Sequence, residues 1–348
     1  MIKNKNLSRD YYVYLLLFAL AAIFALFFCR NTSPLTGDLK GDNSIFLAMG
    51  KMVVDGMLPY VDFFDHKGHV MYYIQALGHF IIPYRGGIFL VELVNLFLVL
   101  IVLYKTFILV TDKKRTIALV LLFLVVLSTL LGGGNFTEGF SLLPLFLSLY
   151  IGVKYYFKKL GISKLDGFIL GLSFSFMFWL RVNNAGFLCG ICVFLFIACI
   201  QNKDWKSLKN LLIFFAIGQI PLSAALILYF QYHDALYDMI NGTFLFNIKY
   251  AKSFLSIFGR HLWRNLIILI VLAVGTYLQY KKEGNKQIII LAVSTYFFSI
   301  VTSSVGELYK HYAILMIPVA MLGLMLILAN IEKITVLLTL LLNHDQEF

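Results

Sequence analysis

Five aspartates, three lysines and two histidines crowd into one stretch, Gly37–Gly78: Asp38, Asp42, Asp55, Asp62 and Asp65 with Lys40, Lys51, Lys67, His66 and His69. Carboxylates beside histidine and lysine supply the groups that move protons and hold anions. The segment PYVDFFDHKG sets Asp65, His66 and Lys67 side by side. Charged and polar residues interrupt the apolar sequence again at three later places. These are Glu138 in GGGNFTEG (132–139), Arg181 with Asn183 and Asn184 in LRVNN (180–184), and Tyr309, Lys310 and His311 in GELYKHY (306–312). A guanidinium suits bidentate phosphate binding better than an ammonium does. A long, acidic and aromatic stretch between apolar runs reads as functional rather than connecting.

The elements that must position these groups form a membrane frame. The chain has 348 residues, 60% hydrophobic and 14% charged, with mean hydropathy +0.85, where soluble domains carry about 25% charge. Apolar runs of roughly 16–25 residues are long enough to cross a bilayer as helices. They predict an all-α polytopic membrane protein, one domain over 1–348. Because the runs are continuous rather than alternating, a barrel is excluded. The net charge of +11 sits mostly in short loops, as the positive-inside rule requires, and no nucleic-acid partner is expected. Cys29, Cys189, Cys192 and Cys199 fall inside apolar runs and read as small hydrophobes. No small-residue cleavage site follows Tyr11–Cys29, which reads as a first span and not as a signal peptide.

In the first loop (30–85), Ile45, Phe46, Met49, Met52 and Val53 recur at helical spacing up to Gly56 and predict an amphipathic surface helix. PYVDFFDHKG is then expected to run extended. Val70, Tyr73, Ile74, Leu77 and Ile81 form one stripe over 70–83, short for a span. Reading it as a second surface helix keeps the basic clusters at 111–115, 154–164, 202–209 and 281–286 together on the cytoplasmic side. Spans follow at 86–110, 116–132, 140–157, 166–181, 185–200, 209–230, 263–280, 287–304 and 313–330. With 11–29 they make about ten transmembrane helices, both termini cytoplasmic. The outer face then collects the first loop, 132–139, 180–184, a loop over 231–262, and 306–312. A last apolar run, Ile334–Leu342, is too short to cross.

The order Asp, amphipathic helix, Gly-x-x-Pro-Tyr-x-Asp-x-Phe-Asp-His-Lys-Gly, surface helix resembles the first outer loop of the GT-C membrane glycosyltransferases. It is most similar to the bacterial branch with the lipid A aminoarabinose transferases and relatives of the protein O-mannosyltransferases, glycosyltransferase family 39-like. GNFTEGFSLLP (134–144), Arg181-x-Asn183 and YKHYAILMIP (309–318) follow in the same order. The resemblance implies an all-helical fold with two surface helices after the first span. It implies transfer of a sugar from a polyprenyl-phosphate donor to an envelope glycan, lipid or protein at the outer face of the cell membrane. By this likeness Asp42 is the catalytic acid residue, Lys67 matches the family's lysine beside the second surface helix, and Glu138 matches a second acid. Asn43 stands where relatives place another acid, and His69 where many have proline.

Each candidate has a plainer alternative. Asp42 is a base for an acceptor hydroxyl or an N-cap for a helix beginning at Asn43; Asp38 and Asp65 are the next acids. Lys67 and Arg181 hold donor phosphate, or contact headgroups and snorkel. Glu138, Asp65, His66, Asn183, Tyr309, Lys310 and His311 complete the substrate-binding set, with Glu138 alternatively a helix cap. His66, His69, His311 and Asp42 lack any metal-ligand spacing, so no cofactor is assigned and a divalent metal stays open. The glycines at 132–134 read as a turn, and the Asn-x-Thr/Ser matches at Asn31, Asn135 and Asn241 as chance. Two competing functions are a lipid-linked oligosaccharide flippase, for which Gly218, Gln219 and Pro221 in the seventh span offer a kink, and a polysaccharide polymerase.

Overall fold

The structure, a computed structural model, describes residues 3–36, 41–250, 262–304 and 309–332. Asp38, Lys40, the start of GELYKHY and the run Ile334–Leu342 lie outside the described residues. The helices are α1 (Lys3–Phe28), α2 (Asp42–Val54), α3 (Val70–Ile81), α4 (Arg85–Phe107), α5 (Lys113–Leu130), α6 (Thr137–Lys158) and α7 (Lys164–Arg181). A 3-10 turn, Val182–Ala185, leads into α8 (Gly186–Gln201), followed by α9 (Trp205–Tyr232) and α10 (Leu236–Ile240). A π-helical turn, Asn241–Leu245, joins α10 to α11 (Phe246–Tyr250); then come α12 (Leu262–Glu283) and α13 (Gln287–Ser303). The 3-10 segment Lys310–Met316 opens into α14 (Ile317–Ala329).

The fold is all-helical. Among the described residues, seven helical stretches are long and apolar enough to cross a membrane. One of them, Lys164–Gln201, carries α7 and α8 through the 3-10 turn as 38 residues. Two of the expected spans are helical but fall outside the seven. The helix α5 opens on Lys113, Lys114 and Arg115, and α13 has only 17 residues.

Three helix starts are capped at the basic end of the bundle. Asp112 accepts from the backbone N–H of Lys114 and Arg115, Ser163 and Asp166 form a capping box, and Asp204 accepts from Ser207 N–H. Cross-contacts tie this end together: Ser207 Oγ receives the Ile162 N–H at 2.8 Å, and Gln287 donates to Asn202 at 2.8 Å. Because α6 ends and α7 begins here, the start of α6 and the end of α7 lie at the opposite end.

Midway, α7 and α9 are stitched by polar contacts. Ser175 and Ser223 hydroxyls are 2.9 Å apart, and Trp179 Nε1 donates to Ser223 Oγ at 2.8 Å. Such bonds serve between helices that gain little from hydrophobic contact in lipid. Pro221 is contained within α9, which is one continuous helix.

A second core sits at the end opposite the caps. Phe46 and Met49 of α2, Met71 and Tyr72 of α3, Phe140 of α6, Trp179 and Leu180 of α7, and Phe230 of α9 pack together. Full burial of each large side chain contributes about 1.5–3 kcal/mol, which anchors α2 and α3 onto the helix ends.

Two expectations are corrected. PYVDFFDHKG does not run extended: the Tyr60 N–H bonds back to the Phe63 carbonyl at 2.7 Å and Asp62 N–H to Leu58 at 2.9 Å, so the segment folds into turns. The stretch expected as a loop over 231–262 is helical through 236–250, because its apolar residues seat against the second core through Met239 and Phe244.

Candidate functional site

The backbone of the Asp65–Lys67 turn is held before its side chains act. Tyr60 and Tyr72 hydroxyls both donate to the Lys67 carbonyl oxygen, at 2.7 and 3.0 Å. Thr243 Oγ1 donates to the Tyr60 hydroxyl at 3.1 Å, and Asn247 Nδ2 to the His66 carbonyl at 2.6 Å. Gly68 lies against the end of α7; a Cβ there would stand 2.0 Å from the Trp179 carbonyl oxygen, so only glycine fits.

Lys67 Nζ then lies 3.4 Å from Asp42 Oδ2, 3.6 Å from Asp65 Oδ2 and 4.9 Å from the centroid of the Phe46 ring. Asp42 is the first residue of α2, and the cap position is Gly41, which carries no side chain to cap with. The helix-cap alternative for Asp42 therefore falls. Burial works against the charged form of Asp65. The hydrogen bond from His66 and the neighbouring Lys67 charge more than offset this, so its carboxyl titrates below the ordinary range. Among the described residues Asp65 Oδ2 is buried without a hydrogen-bond donor.

Behind this turn, Arg181 Nη1 donates to Glu138 Oε1 at 2.5 Å, and its guanidinium lies 4.2 Å from the centroid of the Tyr312 ring. The Glu138 side chain is 1% exposed, and His311 Nε2 stands 4.0 Å from its other oxygen. Glu138 sits in the first turn of α6 and Arg181 in the last turn of α7, so the pair closes the two helix ends. His311 is stacked between Phe136 and Tyr309, with centroids 4.1 and 5.5 Å away.

Two cavities open here. The first, about 390 Å³, is lined by the charged residues Asp42, Asp65, Lys67 and Arg181 and by apolar residues that include Phe178, Val182, Phe244 and Ile248. The second, about 400 Å³, is lined by Arg30, Asn31, Asp42, Asn43, Phe136, Tyr309 and His311 with the glycine turn. Asp42 and Tyr309 border both.

Of the residues singled out in the sequence, Asp42, Asp65, His66, Lys67, Arg181, Asn183 and Tyr309 line the first cavity. His311 lines the second, and Glu138 lies behind Arg181. Lys310 is exposed and lines neither. Among the described residues no three His, Cys, Asp or Glu side chains converge to hold a metal ion.

Sequence reasoning missed Thr243, Phe244, Asn247 and Ile248, which line the first cavity. Their spacing is that of one helical face, a signal lost by reading the stretch as a loop. It also missed Glu92, a buried carboxylate within α4, which accepts from Thr32 Oγ1 and from the Asn135 N–H. Asn135 and Gln75 exchange two amide hydrogen bonds, at 2.6 and 3.2 Å. With its amide oriented to suit its neighbours, Asn43 donates to the Asn135 and Gly134 carbonyls and accepts from Asn31 Nδ2. Asn31 and Asn135, matches to a glycosylation sequence, are buried in this network. One charged side chain in an apolar run was the available signal for Glu92.

No curated protein and no solved structure matches the chain. The family model described as "Putative competence-induced protein Ccs4 N-terminal domain" matches residues 2–336, and the chain belongs to that family.

Proposed function

We propose that this protein is a cell-membrane glycosyltransferase of about ten spans. In this reading α2 and α3 lie on the outer surface, both termini are cytoplasmic, and both cavities open outward. It moves a sugar from a polyprenyl-phosphate donor to an envelope acceptor. The observation that carries the reading is the first cavity, whose lining combines Lys67 and Arg181 with Phe178, Val182, Phe244 and Ile248. Its cationic groups suit a phosphate at headgroup depth, and its apolar side chains suit the start of a lipid chain.

In the reaction, Asp42 takes the proton from the acceptor hydroxyl as that oxygen bonds to the anomeric carbon. The bond from that carbon to the phosphate oxygen breaks, and its electron pair leaves on polyprenyl phosphate. Lys67 meets the charge that develops there, and Arg181, anchored by Glu138, faces the same cavity. Asp65 lines the same cavity beside Lys67.

Native mass spectrometry of the detergent-purified protein is expected to detect bound polyprenyl phosphate. Lys67→Ala should lose that lipid, and Lys310→Ala, outside both cavities, should keep it. Transfer from a polyprenyl-phosphate sugar in detergent, with no closed compartment, also separates an enzyme from a flippase. Transfer from a nucleotide sugar with no lipid carrier present overturns the reading.

A further inference from the structure

The second cavity differs from the first in one chemical respect. Among the described residues its lining contains no aliphatic side chain. Asn31 and Asn43 offer amides, Arg30 a guanidinium, Asp42 a carboxylate, and Phe136, Tyr309 and His311 flat rings. Cavity one carries Ile45, Val182 and Ile248 alongside its charges. Among the described residues of this lining a lipid chain would find no aliphatic side chain to lie against, whereas a sugar suits polar groups set among flat rings. Its hydroxyls donate to the Asp42 carboxylate and accept from the Arg30 guanidinium, and its C–H face lies against an aromatic ring.

The polar groups there are also held in place before any ligand arrives. Asn31 Nδ2 donates to the Gly134 carbonyl at 3.1 Å and its N–H to Gly133 at 3.0 Å. Asn43 is tied to the same turn. Gly134, at φ 86, sits where a Cβ would lie 2.6 Å from the Glu92 carboxylate, so the turn accepts only glycine there. Groups fixed in this way lose little entropy on binding. At about 400 Å³ the space has the scale of a small-molecule site and is short for an extended peptide.

We propose that the second cavity is a carbohydrate site, which makes a glycan hydroxyl the acceptor across Asp42 from the lipid-linked donor. The acceptor assignment rests on the glycosyltransferase reading; the sugar-binding assignment stands on the cavity alone.

The test uses the full chain in nanodiscs and saturation-transfer NMR. The probes are di- and trisaccharides of glucose, galactose, mannose, N-acetylglucosamine and N-acetylgalactosamine, a serine- and threonine-containing peptide, and inorganic phosphate. At least one oligosaccharide should bind. Its affinity should fall roughly tenfold in Phe136→Ala, through loss of ring contact, and in Arg30→Ala, whose side chain is exposed. Lys113→Ala, exposed at the basic end and outside both cavities, should bind the sugar normally. Native mass spectrometry of the same samples reads polyprenyl phosphate separately. Bound lipid with no oligosaccharide binding, or binding of the peptide or phosphate alone, overturns the glycan assignment and leaves the donor reading standing. Oligosaccharide binding that both Phe136→Ala and Arg30→Ala leave unchanged also overturns it. Oligosaccharide binding lost in those variants, with no lipid in any sample, upholds the sugar site and removes the donor.

Discussion

Arg181 and Glu138, 43 positions apart in the chain, share a 2.5 Å hydrogen bond with the carboxylate all but sealed from solvent. A buried pair of this kind is weak evidence for stability, yet removal of one partner strands the other. Glu138→Gln or Arg181→Ala alone should destabilise by about 3–5 kcal/mol. The double variant Glu138→Leu/Arg181→Met should recover a large part of that. Thermal unfolding in one detergent, followed for all three, checks the order. A double variant as unstable as the sum of the singles would mean that the pair does not act as a unit.

Asp42→Asn separates chemistry from folding. The side chain is 46% exposed, beside Lys67, and an ion pair this open contributes about 1 kcal/mol or less. The cap position of α2 is Gly41, so no side-chain cap is lost. Sugar transfer should fall roughly 10²-fold with the loss of the base, and the melting temperature should barely move. Turnover near the wild-type rate would place the base elsewhere, with Asp65 the next carboxylate on the cavity.

His69 makes the fold sensitive to acid. It is buried among the rings of Tyr60, Tyr73, Trp179 and Phe230. Among the described residues neither of its ring nitrogens has a hydrogen-bond partner. Burial lowers its pKa from 6.5 to about 3. Between those values the unfolded chain binds a proton that the folded chain does not, so stability falls as pH drops through that window. His69→Phe keeps a flat ring in the same place. Its melting temperature should fall less than that of the wild type between pH 7 and pH 5. Parallel losses in the two proteins would assign the acid sensitivity to other groups.

Orientation is tested at two exposed lysines. Lys113 opens α5 at the basic end, and Lys310 opens the 3-10 segment beside the cavities. In a background without the native cysteines, Lys113→Cys should react with a membrane-impermeant maleimide only after the cytoplasmic side is opened. Lys310→Cys should react in intact cells. The reverse pattern would turn both cavities inward, where a nucleotide sugar reaches them directly.

What the sequence determined by itself was local. Apolar runs and helical spacing placed α2, α3 and the ten segments expected to span, because hydropathy and a 3.6-residue period depend only on neighbours along one helix. The polar interruptions at 65–67, 138, 181–183 and 309–311 were visible for the same reason, each standing out from an apolar background. Tertiary structure alone decided what those groups meet. Lys67 falls between Asp42 and Asp65, Arg181 is occupied by Glu138, and Asn247 arrives from 181 positions away to fix the His66 carbonyl. It also decided that Gly41 takes the cap position of α2, and that Glu92 has partners in Thr32 and Asn135. None of these pairings has a period or a spacing. Each exists because helix ends packed against one another bring together residues distant in the chain, a condition on the whole packed structure and not on any stretch of it.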